Sequence, residues 1–190
     1  MTDTGKIFGI GLSKTGTTSL YAALTMLDYH AVTSGHMRKI GLKDWRSGDF
    51  ATDYLAGIEA ATDLPMGTYF RELDARYPGS RFILTERPVD SWLASIEGQF
   101  SRHPDPVAQY RRDMRMATYG VSTFHAERFR RVMTDHSRAV RDHFRDRPEQ
   151  LLIQNYFTGD GWDSLCRFLA KPVPEIGFPN VKPGWRPGKS

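Results

Sequence analysis

The sequence contains a single cysteine and no long apolar run. Cys166 stands alone among 190 residues, so no internal disulfide can form, and a disulfide-stapled secreted scaffold is excluded in favour of a reducing compartment. No stretch of about 18 apolar residues occurs, and the N-terminus lacks the basic start and apolar core of a signal peptide. Because 39% of the residues are hydrophobic, the composition is that of a globular chain. We therefore expect one soluble, cytoplasmic domain over residues 1–190, without membrane contact.

Lysine is absent from residues 102–147, although this segment is the most basic part of the chain. It holds eleven arginines and six acids, a net charge of +5, against −1 for the remaining residues. Such a block is typical of nucleic-acid binding, and it equally describes a solvated helical face with ion pairs between neighbouring turns. Because no regularly spaced aromatics accompany the arginines, base stacking is disfavoured, and nucleic acid is the less favoured partner.

Short apolar runs alternate with helical patterns along the chain. The apolar runs predict strands at residues 6–11, 29–33, 58–62, 81–85 and 150–157. Helical patterns cover residues 17–28, 34–57, 67–77, a segment with Pro88 at its first position, 104–144 and 161–169. The alternation predicts an α/β fold: three αβα layers, a mostly parallel sheet, a helical insertion at about 103–147 and a proline-rich tail at 171–190. Ligands of such sheets bind at the carboxyl ends of the strands.

A glycine-rich segment joins the first predicted strand to the first predicted helix. Backbone N–H groups of such a turn and of the following helix converge on one point, where the helix dipole favours an anion. Lys14 adds one cation, and Gly16 permits close approach of the backbone to a phosphate. Hydroxyl donors follow at Thr15, Thr17, Thr18 and Ser19. The segment therefore predicts a P-loop, a phosphate-binding loop.

This segment departs from the Walker A pattern at one position. Gly11 and Gly16 have the spacing of that motif and Thr18 fills its Ser/Thr position, but Thr17 stands where the lysine belongs. A nucleotide triphosphatase uses that lysine on the β- and γ-phosphates, whereas here the loop lysine comes three residues earlier. A P-loop kinase or nucleotide switch that uses ATP or GTP is the first alternative function. A non-catalytic anion- or nucleic-acid-binding module is the second.

Residues 14–20, Lys-Thr-Gly-Thr-Thr-Ser-Leu, resemble the 5′-phosphosulfate-binding loop of sulfotransferases, which use 3′-phosphoadenosine 5′-phosphosulfate (PAPS). A second motif agrees: Arg87 follows the predicted strand 81–85 and Ser95 comes eight residues later, as in the family's 3′-phosphate motif. Two helical turns allow both side chains to converge on one phosphate. The resemblance implies that PAPS and its product, adenosine 3′,5′-bisphosphate, are bound by Ser13, Lys14, Thr15, Gly16, Thr17, Thr18, Ser19, Arg87 and Ser95.

A weaker match concerns the catalytic base. Thr62-Asp63-Leu64-Pro65 resembles the segment of cytosolic sulfotransferases that carries a catalytic histidine, with Asp63 in place of the histidine. The resemblance implies that Asp63 accepts the acceptor's proton and that Lys14 neutralises charge on the leaving group. Asp63 is equally interpretable as the N-cap of the helix that follows, and His36 is a second candidate base.

The predicted activity is transfer of a sulfuryl group from PAPS to a hydroxyl or amine of a small-molecule or carbohydrate-like acceptor. The arginines of the insertion favour an anionic or sugar-like acceptor. No metal is predicted, because the acids and histidines show no ligand spacing. Two features depart from the family pattern: no late Arg-Lys-Gly segment occurs, and Glu86 places an acid directly before Arg87.

Overall fold

A computed structural model of the chain describes residues 5–34, 54–103 and 109–181. Its centre is a five-stranded sheet in which every neighbouring pair of strands is parallel. The strands are β1 (Ile7–Gly9), β2 (Ala31–Thr33), β3 (Ala60–Thr62), β4 (Arg81–Thr85) and β5 (Leu151–Gln154), in the spatial order β2-β3-β1-β4-β5. The α/β fold with a parallel sheet is confirmed. Four of the five strands are shorter than predicted, because the flanking apolar residues turn out of the sheet.

The carboxyl ends of three strands lie side by side because β1 is the central strand. Gly9, the last residue of β1, is in register with Thr62 at the end of β3 and with Ile83 of β4. All three residues of β1 are buried, and helices cover both faces of the sheet. A strand that is buried on both faces requires a continuous apolar run. In β1, Ile7 and Phe8 form that run.

Six helices surround the sheet within the described residues. They are α1 (Thr17–Met26), α2 (Phe70–Arg76), α3 (Val89–Arg102), α4 (Gln109–Tyr119), α5 (Ala126–His143) and α6 (Trp162–Leu169). One face of the sheet packs on Leu20 and Leu24 of α1 and Leu165 of α6. The other face packs on Phe70 of α2 and Val140 of α5. The predicted three αβα layers follow from these two cores.

A third apolar cluster attaches α3, α4 and α5 beyond the carboxyl ends of the strands. It joins Leu12 and Leu64, from the segments after β1 and β3, to Trp92 of α3, Tyr119 of α4 and Phe129 of α5. The rings of Tyr119 and Phe129 stack with their centroids 4.5 Å apart. Burying each such side chain stabilises the fold by about 1.5–3 kcal/mol, so the insertion is firmly held over the glycine-rich loop.

The helical pattern predicted over residues 104–144 is two helices rather than one. The chain turns after α4 at Gly120, whose φ is +70°, and α5 begins at Ala126. The apolar stripe of α5 is observed, and His136 on that stripe bonds through Nε2 to the carbonyl oxygen of Ile10 at 2.8 Å. Almost all of the helical stretch predicted at 34–57, including His36, lies outside the described residues. No helix in the described ranges is long and apolar enough to cross a membrane.

Candidate active site

The chain reverses direction in the P-loop, between β1 and α1. Lys14 and Gly16 both adopt left-handed backbone conformations, with φ of +74° and +105°. Gly16 is also the N-cap of α1, and a Cβ there would lie 2.7 Å from Cδ2 of Tyr156. Glycine is therefore required by both the backbone angle and the space. The reversal points the N-terminus of α1, with its unpaired N–H groups, into the space above the strand ends.

Side chains from the neighbouring strand and helix hold the loop in this shape. The Thr15 hydroxyl donates to the carbonyl oxygen of Leu12 at 2.6 Å and lies 2.7 Å from the Thr85 hydroxyl at the end of β4. Because Thr15 has one proton, Thr85 donates in the second bond. Trp92 of α3 donates from Nε1 to the Ser13 carbonyl oxygen at 2.9 Å. Thr15 thus ties the loop to β4, and its only hydroxyl proton is used within the protein.

Asp63 directly follows β3, as the P-loop follows β1. The Ser13 hydroxyl donates to Asp63 Oδ1 at 2.8 Å. Burial raises the pKa of Asp63, and hydrogen bonds from Ser13, the Leu64 backbone and Ser34 oppose that rise only in part. A carboxylate with a raised pKa is a stronger proton acceptor near neutral pH, which is the property a general base requires.

The N-cap interpretation of Asp63 is wrong. Helix α2 begins at Phe70, and its N-cap is Tyr69, six residues after Asp63. The φ of Asp63 is +71°, a strained conformation for a residue other than glycine. Its carboxylate is directed across the strand ends toward the P-loop rather than along its own segment.

Lys14 lies near other cations. Its ammonium forms no salt bridge with any described residue. Burial lowers the pKa of its ammonium, and the positive charges of Arg102 and Arg87 lower it further, while the charge of Asp63 acts in the opposite direction. The Lys14 ammonium makes no hydrogen bond within the part of the chain that the structure describes. A cation in these surroundings is poised to receive an anion, which would relieve the repulsion.

Arg87 follows β4 and faces the same space. Its Nε donates to the Ser91 hydroxyl at 2.9 Å and its Nη1 to the Lys14 carbonyl oxygen at 3.3 Å. The guanidinium carbon lies 4.2 Å from the centre of the exposed Phe157 ring, and burial lowers the pKa of Arg87. Ser91 and the half-buried Ser95 are one turn apart on one face of α3. Ser91 therefore lies on the same side of the helix as the predicted pair, Arg87 and Ser95.

Glu86 is turned away from the space that Arg87 faces. Its carboxylate accepts hydrogen bonds from the Ser137 hydroxyl and from Arg141 Nη2, both on α5. Adjacent residues of an extended segment project to opposite sides, which separates Glu86 from Arg87. The acid that the sequence places beside the predicted phosphate site therefore serves to dock the insertion.

The remaining predicted loop residues differ in their surroundings. Thr17 is buried, and Thr18 is half-buried at the first turn of α1. The Ser19 hydroxyl accepts the backbone N–H of Val181 at 3.4 Å, so the tail beyond α6 returns to the N-terminal end of α1. The ring of Phe178, in the same tail, packs on Tyr156, which lies beneath Gly16.

Tyr119 is a site residue that sequence reasoning missed. Its side chain is 2% exposed, and its buried hydroxyl makes no hydrogen bond of good geometry with the described residues. Burial and the Asp63 charge raise the pKa of Tyr119, while the Ser13 hydroxyl lowers it, so the phenol stands beside this pair. No local pattern marks Tyr119, because it belongs to α4 and only the packing of the insertion brings it to Asp63.

The described residues contain no group of three or more histidines, cysteines and acids placed to hold a metal ion. The side chains brought together at the strand ends are instead one carboxylate, two cations and several hydroxyls. The P-loop and the five-stranded sheet define the class: a P-loop α/β protein.

Comparison with known proteins identifies the family. A family model described as Sulfotransferase domain matches residues 6–184, and the chain belongs to this family. The Ava biosynthesis cluster protein M of Aspergillus versicolor is 28% identical over 214 residues, covering 93% of this chain and 80% of that protein. The crystal structure of sulfotransferase STF9 from Mycobacterium avium matches with a TM-score of 0.50 at 13% identity, over 92% of this chain. This chain spans 66% of that structure's length, and the likeness shows the fold. The resemblance to sulfotransferases drawn from residues 14–20 is confirmed.

Proposed function

We propose that this protein transfers a sulfuryl group from PAPS to a hydroxyl or amine of an acceptor molecule. One observation carries the proposal: Lys14, Asp63 and Arg87 each follow the end of one of three adjacent parallel strands, β1, β3 and β4. Sulfuryl transfer requires a cation at the 5′-phosphate, a proton acceptor and a second phosphate-binding cation. Lys14, Asp63 and Arg87 would supply these groups in that order. Membership of the sulfotransferase family supports the reaction class.

The residues at the strand ends fit an anionic nucleotide. Lys14 and Arg87 form no salt bridge with an acid in the described ranges, and Glu86 faces α5 instead. The N–H groups at the start of α1, with Thr17 and Thr18, would hold the 5′-phosphate. Arg87, supported by Ser91, would hold the 3′-phosphate together with Ser95 through charge-assisted hydrogen bonds.

PAPS, when bound, supplies the sulfuryl group and a stable leaving group, adenosine 3′,5′-bisphosphate. Asp63 would accept the acceptor's proton, with Ser13 orienting its carboxylate, a contribution of about 10²–10⁴-fold to the rate. The Lys14 ammonium would neutralise negative charge developing on the leaving group, worth about 10²–10³-fold for a well-placed donor. The lowered pKa of Lys14 also makes it a better proton donor to that group.

The rival function, phosphoryl transfer from Mg²⁺-bound ATP or GTP, is less well supported. Thr17 occupies the position of the Walker A lysine. The loop lysine that is present lies between Asp63 and two arginines, whose charges all act on its pKa.

Calorimetry with three nucleotides tests the proposal. We expect adenosine 3′,5′-bisphosphate to bind more tightly than AMP and than ATP with Mg²⁺. Substitution R87A should weaken bisphosphate binding about 10- to 100-fold, the loss of roughly 1.5–3 kcal/mol for a hydrogen bond to a charged group. Binding of AMP, which lacks the 3′-phosphate, should change by less than about twofold in the same variant.

The matched control is R131Q, which removes an exposed arginine of α5 and should leave all three affinities unchanged. Tight binding of ATP with Mg²⁺, together with no binding of the bisphosphate, would refute the proposal.

A further inference from the structure

Most arginines of residues 102–147 already have partners inside the protein. The guanidinium groups that bond to backbone or side-chain oxygens or form ion pairs are those of Arg111, Arg115, Arg128, Arg130, Arg138, Arg141, Arg145 and Arg147. Arg112 also has a partner. Within the described ranges, this leaves Arg102 and Arg131 as the two of the eleven without a hydrogen bond or an ion pair. Most arginines of the segment therefore have at least one partner inside the protein.

Arg102 is placed toward the candidate active site. It ends α3, and its spacing from Ser91, Ser95 and Gly98 puts all four on one face of that helix. Its Nη1 lies 3.6 Å from the position of a Cβ at Gly98, so the guanidinium folds back over the preceding turn.

The positive charge of Arg102 acts on Lys14, as that of Arg87 does. Its charge lowers the pKa of the Lys14 ammonium, and by more than the charge of Arg87 does. No acid in the described ranges pairs with Arg102 or forms a salt bridge with Lys14. Two neighbouring cations without a counter-ion repel each other, and an anion bound beside them would remove that repulsion.

The two arginines that act on Lys14 come from opposite ends of α3. Arg87 lies two residues before the helix begins at Val89, and Arg102 is its last residue; the 14 residues of the helix are about 21 Å long at 1.5 Å per residue. Phe100, two residues before Arg102, packs edge-on against the ring of Tyr119, whose hydroxyl lies beside Asp63. Arg102 is thus at the opposite end of α3 from Arg87, the cation proposed to hold the 3′-phosphate.

We propose that Arg102 binds an anionic group on the acceptor, a carboxylate, phosphate or sulfate, and thereby selects acidic acceptors. This inference rests on the proposed sulfuryl transfer and narrows its acceptor to an acidic hydroxyl or amine compound. A planar guanidinium that has no partner among the described residues can form two parallel hydrogen bonds with such a group. Lys14 remains free to act on the sulfuryl donor.

Matched acceptors with and without a carboxylate test this inference. The pairs are glucuronate with glucose, and 4-hydroxyphenylacetate with its neutral amide, assayed for kcat/KM with PAPS. We expect the wild type to favour the charged members. R102Q should lower kcat/KM for them about tenfold or more and leave the neutral members within twofold, because only a charge-assisted contact is lost. R102K should retain part of the preference, since lysine keeps the positive charge but lacks the two parallel N–H donors of the guanidinium.

The control variant is R131Q, the other arginine without a partner, which should preserve the preference. Calorimetric affinity for adenosine 3′,5′-bisphosphate should stay within twofold in R102Q. A weaker bisphosphate affinity in R102Q would assign Arg102 to the donor and overturn the inference. So would a wild type that does not prefer the charged members, or an equal loss in R102Q for both members of a pair. If the wild type fails to bind the bisphosphate at all, it is the proposed sulfuryl transfer that fails.

Discussion

Two regions of the molecule carry cationic side chains but pair them differently. One is the set of strand ends around the P-loop, and the other is the insertion that contains α4 and α5. At the strand ends, Lys14 and Arg87 form no salt bridge with a described acid, and burial lowers the pKa of each. In the insertion, Arg141 pairs with Glu86 and Arg147 with Asp74, across to other elements. Most arginines of the segment with a net charge of +5 therefore have partners inside the protein, while in the nearly neutral remainder Lys14 and Arg87 form no salt bridge with a described acid.

The two regions therefore differ in how their cations are paired. A cationic side chain is available to a ligand only if the fold leaves it unpaired. An arginine bonded to a helix-end carbonyl group contributes to stability and is not free to bind a substrate. The comparison predicts that variants at the strand ends lose activity and keep their stability. Variants that remove a buried or cross-element pairing of the insertion should lose stability and keep their activity.

The largest expected effect is that of D63N, which removes the proposed base with little change in shape. We expect kcat to fall about 10²–10⁴-fold while the unfolding midpoint stays close to that of the wild type. The wild type should lose activity as the pH falls through the raised pKa of Asp63, because the base must be ionised. At high pH, activity should fall through the lowered pKa of Lys14.

In D63N the acidic limb of this pH profile should disappear. The control D135N removes an exposed acid of α5 that pairs with Arg138, and it should keep both limbs and the wild-type kcat. Full turnover in D63N, with the acidic limb unchanged, would exclude Asp63 as the base.

The second prediction concerns the buried arginine of the insertion. Arg115 is 7% exposed and donates to the carbonyl oxygens of Ser122 and His103, both at 2.8 Å, and its guanidinium lies over Phe100. R115A should lower the free energy of unfolding by about 2–4 kcal/mol, because it leaves two partly buried oxygens without a donor and opens a cavity where the buried guanidinium lay. Urea denaturation measures this loss.

Two comparisons decide how R115A is interpreted. R138A breaks only an exposed 3.5 Å ion pair, and it should cost less than about 0.5 kcal/mol. In the folded R115A variant, affinity for adenosine 3′,5′-bisphosphate should match the wild type. A variant as stable as the wild type that no longer binds the bisphosphate would reverse the roles assigned to the two regions.

The smallest effect is a pH-dependent one, at the contact between α2 and the end of the insertion. Burial acts to raise the pKa of Asp74, but hydrogen bonds from Arg147 and His143 outweigh it and hold the pKa below the ordinary 3.8. A lowered carboxyl pKa stabilises the fold above the unfolded value, and that stability is lost as the pH falls through the folded value. D74N should therefore cost about 1–2 kcal/mol at pH 7 and much less near pH 3.

Urea denaturation at the two pH values measures this difference. D142N removes an exposed acid that pairs with Arg145 one turn away, and its small cost should hardly vary between them. A cost for D74N that is the same at both pH values would show that the Asp74 charge does not contribute to the contact.

Much of the site could be predicted where the signal is local. The apolar run ending in glycine, followed by Lys14 and Gly16, predicted a loop at the end of the central strand, and the loop lies there. The eight-residue spacing of Arg87 and Ser95 predicted one face of α3, which the structure contains. The contribution of Ser91 was missed, although its spacing of four from Arg87 was a local signal that could have revealed it.

Other features could not be predicted because they depend on contacts between distant residues. Tyr119 reaches Asp63 only because Phe129 and Trp92 pack the insertion against the strand ends. Likewise, Glu86 turns from Arg87 toward Ser137 and Arg141, which are 51 and 55 positions away in the chain. No periodicity of the sequence records such a pairing.

The sequence by itself determined the order of strands and helices, the P-loop and the sulfotransferase resemblance, because hydrophobic period and motif spacing are properties of short segments. Only the tertiary structure decided which charges are free. The ionisation and pairing of a side chain depend on burial and on neighbours from other elements. For that reason most arginines of the basic segment, which looked like a binding surface, have partners within the protein, and among its described arginines only Arg102 and Arg131 lack a hydrogen bond or an ion pair.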